Sequence, residues 1–128
     1  MRLYKVLAKG RRSCNGGRTI YPAPKGGKPG AWTKKRYRVV PCISGYHLVT
    51  ADRVSTWFHN GFEVWEAEGR GEHVRDVSRY FGAKHVFSQA RLIRRVLSSS
   101  ETGRFLAGGT KRQLRDFLYK DARKHPKK

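Results

Sequence analysis

The 128-residue chain carries 29 Lys and Arg against 9 Asp and Glu, a formal net charge of +20. Hydrophobic residues at 38% and aromatics at 12% argue against wholesale disorder, and no apolar run reaches the roughly 18 residues of a membrane helix. Two cysteines, Cys14 and Cys42, make no disulfide framework, and residues 1–9 hold no signal-peptide core, so the expectation is a soluble, cytoplasmic, single-domain protein with no membrane partner.

Residues 3–8 read as a first strand, rich in aliphatic and aromatic side chains. Residues 9–36 form a basic loop punctuated by Gly10, Gly16, Gly17, Gly26, Gly27, Pro22, Pro24 and Pro29, with room only for a short strand at 19–21. Residues 37–43 suggest a second strand, placed at an edge by Pro41. Residues 46–49 suggest a short third. A short helix follows Thr50, capped by Thr50 or Asp52, with Val54, Trp57 and Phe58 on one stripe and Asn60-Gly61 as its stop. Residues 62–68 read as a strand, and Gly69, Gly71 and Gly82 then bracket a loop.

Residues 85–96 suit a strand by their β-formers, although Val86, Ala90, Ile93 and Leu97 also make a helical stripe. Ser98-Ser99-Ser100 opens a linker, and a short helix is expected over 101–107, ended by Gly108-Gly109. Thr110 precedes Gln113 at capping-box spacing. Leu114, Phe117, Leu118 and Ala122 then share one face of a basic amphipathic helix over 111–125. The fold class implied is α+β, with a small mixed or antiparallel sheet. A core domain would span 1–97, and a linker with the C-terminal helix would span 98–128.

Charge is segregated along the chain. Residues 1–51 hold 12 basic and no acidic residues, 52–90 hold 5 and 6, and 91–128 hold 12 and 3. Self-repulsion at such a balance opposes compactness, so it points to a polyanionic partner, most often nucleic acid. The stretch 18–38 interleaves Tyr21, Trp32 and Tyr37 with Arg18, Lys25, Lys28, Lys34, Lys35, Arg36 and Arg38. Cations pair phosphates and aromatics stack bases, so Trp32 and Tyr37 are the expected stackers and the cations the phosphate contacts. The C-terminal helix would add Lys111, Arg112, Arg115, Arg123 and Lys124. No helix-turn-helix, zinc-finger or RNA-recognition signature is present.

Other constellations are weaker. Cys14, Cys42, His47 and His59 lack a Cys-x-x-Cys pair, so no metal is expected. Glu63, Glu66, Glu68 and Glu72 could form an acid/base or magnesium site, but read better as counter-charges to the basic ends. Lys25-Gly26-Gly27-Lys28 is not a nucleotide-triphosphate loop. Neither a catalytic residue nor a cofactor is assigned.

The segments Leu3 to Val6, Gly27 to Trp32, Cys42 to His47, Val64 to Glu68 and Ala90 to Arg94 follow in order a pattern of Leu-Tyr-Lys-Val, Gly-Lys-Pro-Gly-x-Trp, Cys-x-x-Gly-Tyr-His, Val-x-Glu-x-Glu and Ala-Arg-Leu-Ile-Arg. Over roughly residues 1–97 this resembles an uncharacterised domain family of phages and bacteria. The resemblance implies a phage-encoded protein acting in the host cytoplasm, where it would interfere with a nucleic-acid machine or defence complex. It names no reaction. The stretch from Gly45 also looks like part of the ADP-ribosyltransferase fold, which would put Gly45, Tyr46 and Thr50 beside a nicotinamide pocket, with His47 a further polar group. NAD would be the cofactor under that alternative alone. Lys5 stands where that fold places Arg or His, and no acid sits on a late strand as its catalytic Glu should. A third reading is a protein-interaction module that occupies an acidic or nucleic-acid-binding groove of a partner.

Overall fold

The computed structural model describes residues 2–13, 19–36, 38–41, 44–57, 62–78, 82–108 and 111–126. Five antiparallel strands form one sheet: β1 (Leu3–Ala8), β2 (Arg12–Ser13), β3 (Tyr46–Leu48), β4 (Glu63–Ser78) and β5 (Gly82–Leu97), in the order β2-β1-β4-β5-β3. A 3-10 helix (Ala51–Trp57) follows β3, and α1 (Ser99–Gly108) and α2 (Lys111–Lys124) close the chain. The α+β expectation holds, and the sheet is antiparallel. Among the described residues no helix is long and apolar enough to cross a membrane.

Alternation on β1 serves two apolar layers. Tyr4 and Val6 join Val49, Val54, Val64, Leu97, Leu114 and Leu118 on the helical side. Leu3 and Leu7 join Tyr21, Tyr46, Leu48, Trp65, Phe87 and Leu92 on the other. The C-terminal helix is thereby built into the first layer, with Leu118 fully buried.

The ribbon of β4 and β5 departs most from expectation. The loop expected from Gly69 onward is strand as far as Ser78. The glycines there make room and do not end the strand. A Cβ on Gly69 would lie 2.2 Å from the Phe87 ring, and one on Gly71 would lie 2.0 Å from Ser88 Oγ. Gly71 also has φ +83°, at a register shift between Arg70 and His73. Such a bulge leaves backbone groups unpaired. Buried Ser88 serves them: its hydroxyl accepts from Glu72 N at 3.0 Å and donates to Arg70 O at 3.2 Å.

Other differences are smaller. The strand expected at 37–43 is reduced, among the described residues, to the Val40–Ser44 bridge, with Arg38 at φ 55° and Pro41 between. The short strand at 19–21 is the single bridge Arg12–Ile20. The helix after Thr50 is a 3-10 turn set, with Thr50 Oγ1 donating to Asp52; Phe58 and Asn60-Gly61 lie outside the described residues. The helix expected at 101–107 starts two residues earlier because Ser98 and Glu101 form a capping box. Ser98 N donates to Glu101 Oε1 at 3.0 Å, and Glu101 N to Ser98 Oγ at 3.3 Å. Thr110 lies outside the described residues.

Candidate nucleic-acid interface

Residues 30–36 run along the outer edge of β5. Gly30 N donates to Leu92 O, Thr33 N to Ala90 O and Arg36 N to Ser88 O, at 2.8–2.9 Å. Buried Thr33 returns a bond, its Oγ1 accepting from Ala90 N at 3.0 Å. The basic loop is therefore an annex of the sheet here. Lys34, Lys35 and Arg36 stand exposed along it.

Trp32 sits between these anchors, half-buried. Two guanidiniums lie over its ring, that of Arg70 at 4.2 Å and that of Arg91 at 4.5 Å. Cation–π attraction and stacking both favour this arrangement. Arg70 Nε donates to Gln89 Oε1 at 3.0 Å, and Gln89 Nε2 donates to Thr33 O at 2.9 Å. Arg91 is bound to Glu68. Trp32, the ring expected to stack on a base, thus has two guanidiniums over it.

The remaining sequence candidates divide by place. Lys25 and Lys28 are exposed and flank a tight turn whose centre, Gly26 and Gly27, takes φ 59° and 74°, with Lys28 N donating to Lys25 O. Arg38 is exposed beyond the edge segment. Arg18, Tyr37, Cys14, Cys42 and His59 lie outside the described residues. On α2, Lys111, Arg112, Arg123 and Lys124 are exposed, and Arg115 is partly covered beside Asp116 at 3.5 Å.

Strand alternation relates the two basic ends. Glu66, Glu68 and Arg70 share one face of β4. Glu66 is nearly buried between Arg2 at 2.9 Å and Arg94 at 3.2 Å, and Arg94 also binds Asp121 of α2. Arg2 further donates to His125 O at 2.7 Å. The C-terminal end of α2 thus stands on the face that carries Trp32. From Glu66 to Arg70 is about 13 Å at 3.3 Å per residue. Arg123 and Lys124 lie within a turn of Asp121, whereas Lys111 and Arg112 lie about 15 Å back along the helix. Exposed Tyr119 stands at i±4 from Arg115 and Arg123, an aromatic inside a basic stripe.

Sequence reasoning missed Arg70, Arg91 and Tyr119. Tyr119 was legible, since it falls off the apolar face of a well-marked helix. The two arginines were not, because only the register Glu68–Arg91 and Arg70–Gln89 joins them. Three of the four glutamates singled out from the sequence sit against cations: Glu63 binds Arg95 at 3.2 Å, and Glu66 and Glu68 bind arginines as above, whereas Glu72 accepts from Val39 N. Among the described residues no group of three or more His, Cys, Asp or Glu is placed to hold a metal ion.

The chain matches no protein-family model, no curated protein and no solved structure. What it can do is therefore argued from its own groups. Around the Gly45 motif those groups are engaged. The Tyr46 ring is buried edge-on to Tyr21 at 5.9 Å, and its hydroxyl donates to Lys34 O at 2.6 Å. Lys5 Nζ donates to His47 O at 2.9 Å. Burial, with Lys5 and Lys84 nearby, pushes the His47 imidazole down to about 4. His85, buried and 3.0 Å from the His73 ring nitrogen, is also pushed down, first by burial and then by the charges of His73 and Arg75.

Proposed function

We propose that the protein binds nucleic acid through the sheet face that runs from the C-terminal end of α2 to the Trp32 edge of β5. The observation that carries the reading is the joining of the two basic ends. Asp121 of α2 binds Arg94 on the face that carries Arg70, Arg91 and Trp32, which brings the helix end with exposed Arg123 and Lys124 over that face, and Lys34, Lys35 and Arg36 follow along the edge of β5. Between them the acids Glu66, Glu68 and Asp121 are held by arginines, so the charge left exposed is cationic. A chain of phosphates fits such a strip, because neutralising it releases counterions. Tyr119 offers the exposed aromatic for a base.

Affinity for single-stranded DNA, duplex DNA and duplex RNA across a salt series tests this. Log affinity should fall linearly with log salt, by roughly 0.7–0.9 per phosphate contact. One of the three should be preferred. Binding that vanishes on all three by physiological salt overturns the reading and leaves an acidic groove on a partner protein as the target.

A further inference from the structure

Several cations of the proposed face are already balanced by carboxylates. Arg91 is balanced by Glu68, and Arg94 by Glu66 and Asp121. Arg70 is different. Its side chain is held at two points, the Trp32 ring and the Gln89 amide, and has no acidic partner among the described residues. Trp32 supports the plane of its guanidinium at 4.2 Å. Gln89 takes its Nε–H, and Gln89 is itself held by the Thr33 carbonyl. Thr33 and Trp32 belong to the edge segment bonded to β5. The two terminal nitrogens of Arg70 make no hydrogen bond among the described residues, and the residue is exposed. A guanidinium held by its Nε and one face presents its outer N–H groups to a bidentate acceptor, with the ordering cost already met by the fold.

We propose that Arg70 is a preset fork for one phosphodiester of the bound strand, with Gln89 and Trp32 as its positioning residues. The inference rests on the nucleic-acid reading above and names the group recognised at its centre. A lone carboxylate would satisfy the same fork, but the row of Lys34, Lys35 and Arg36 beside it suits a repeating anion. Arg70 would thus set the register of the strand, while the surface lysines supply attraction without geometry.

Two measurements on the full chain test this. The first compares Arg70→Lys and Arg70→Gln with the parent protein in oligonucleotide affinity across salt. Lys keeps the charge but loses the fork, so Arg70→Lys should weaken binding about tenfold with the salt slope unchanged. Arg70→Gln should weaken it further and flatten the slope by about 0.9. Gln89→Leu should weaken binding in the parent and have no added effect in Arg70→Lys. Arg70→Lys within twofold of the parent overturns the fork and leaves the nucleic-acid reading intact. The second follows the Arg Nε–Hε resonances by NMR during titration with inorganic phosphate and, separately, acetate. A saturable shift of the Arg70 signal with phosphate alone supports the fork. An equal response to acetate, or none to either, overturns it. A phosphate response in a protein that binds no oligonucleotide keeps the fork and removes the nucleic-acid reading.

Discussion

Ser88 shows how much one side chain can hold in this sheet. Its hydroxyl both accepts from Glu72 N and donates to Arg70 O, closing the bulge that aims Arg70 at Trp32. Ser88→Ala leaves the part-buried Glu72 amide without this partner. We expect a loss of about 0.5–1.5 kcal/mol in urea unfolding, together with weaker binding, because the bulge carries the fork. Histidine supplies the second expectation at this scale. His47 in the folded chain ionises only near 4, chiefly through burial, whereas in the unfolded chain it does so near 6.5. Between those values the unfolded chain holds more protons, so stability falls as pH falls through the window. Buried His85 adds in the same direction. Urea midpoints from pH 7 to pH 5 should decline, and His47→Gln should flatten the decline. An unchanged slope in His47→Gln would show that the imidazole ionises alike in the folded and the unfolded chain.

At the scale of elements, the most readable parts were those whose reasons are local. The α2 helix follows from Leu114, Phe117 and Leu118 on one stripe, and it spans Lys111–Lys124 as the period implies. The strand β1 follows from its run of β-formers. The start of α1 is equally local, since Ser98 and Glu101 have capping-box spacing, but a run of three serines also has the composition of a linker. The second half of β4 was not readable. Gly69 and Gly71 look like turn residues until Phe87 and Ser88 face them from the other strand. The candidate site divides the same way. Its lysines are visible as composition, whereas the Arg70–Trp32–Arg91 cluster needs three segments in register. A division of the chain at residue 97 bears on α2, whose Leu114 and Leu118 pack with Tyr4, Val6 and Val54. Leu118→Ala should therefore cost about 2–5 kcal/mol. Unfolding should remain a single transition by both far-ultraviolet circular dichroism and Trp fluorescence. Separate loss of helix signal at low urea would show that α2 docks weakly on an independent core.

For the whole molecule, the question is whether a charge of +20 acts as one surface or several. Among the described residues, Glu66, Glu68 and Asp121 are each bound to arginine, so the proposed face would carry one sign of charge from end to end. Replacing Lys34, Lys35 and Arg36 by Gln removes the edge set, and replacing Arg123 and Lys124 by Gln removes the helix-end set. Each lost phosphate contact should flatten the salt slope by roughly 0.7–0.9. If one strand spans the face, the two sets act on the same ligand and their slope changes add in the combined variant. The face between the sets includes the run from Glu66 to Arg70, about 13 Å or about four axial phosphate steps of 3.4 Å on one duplex strand, so a ligand must cross that span to meet both. The helix-end set should then have no effect on oligonucleotides shorter than that span and its full effect on longer ones. An effect independent of length would mean that α2 holds a second ligand of its own, and the basic ends would then be two binding surfaces on one fold.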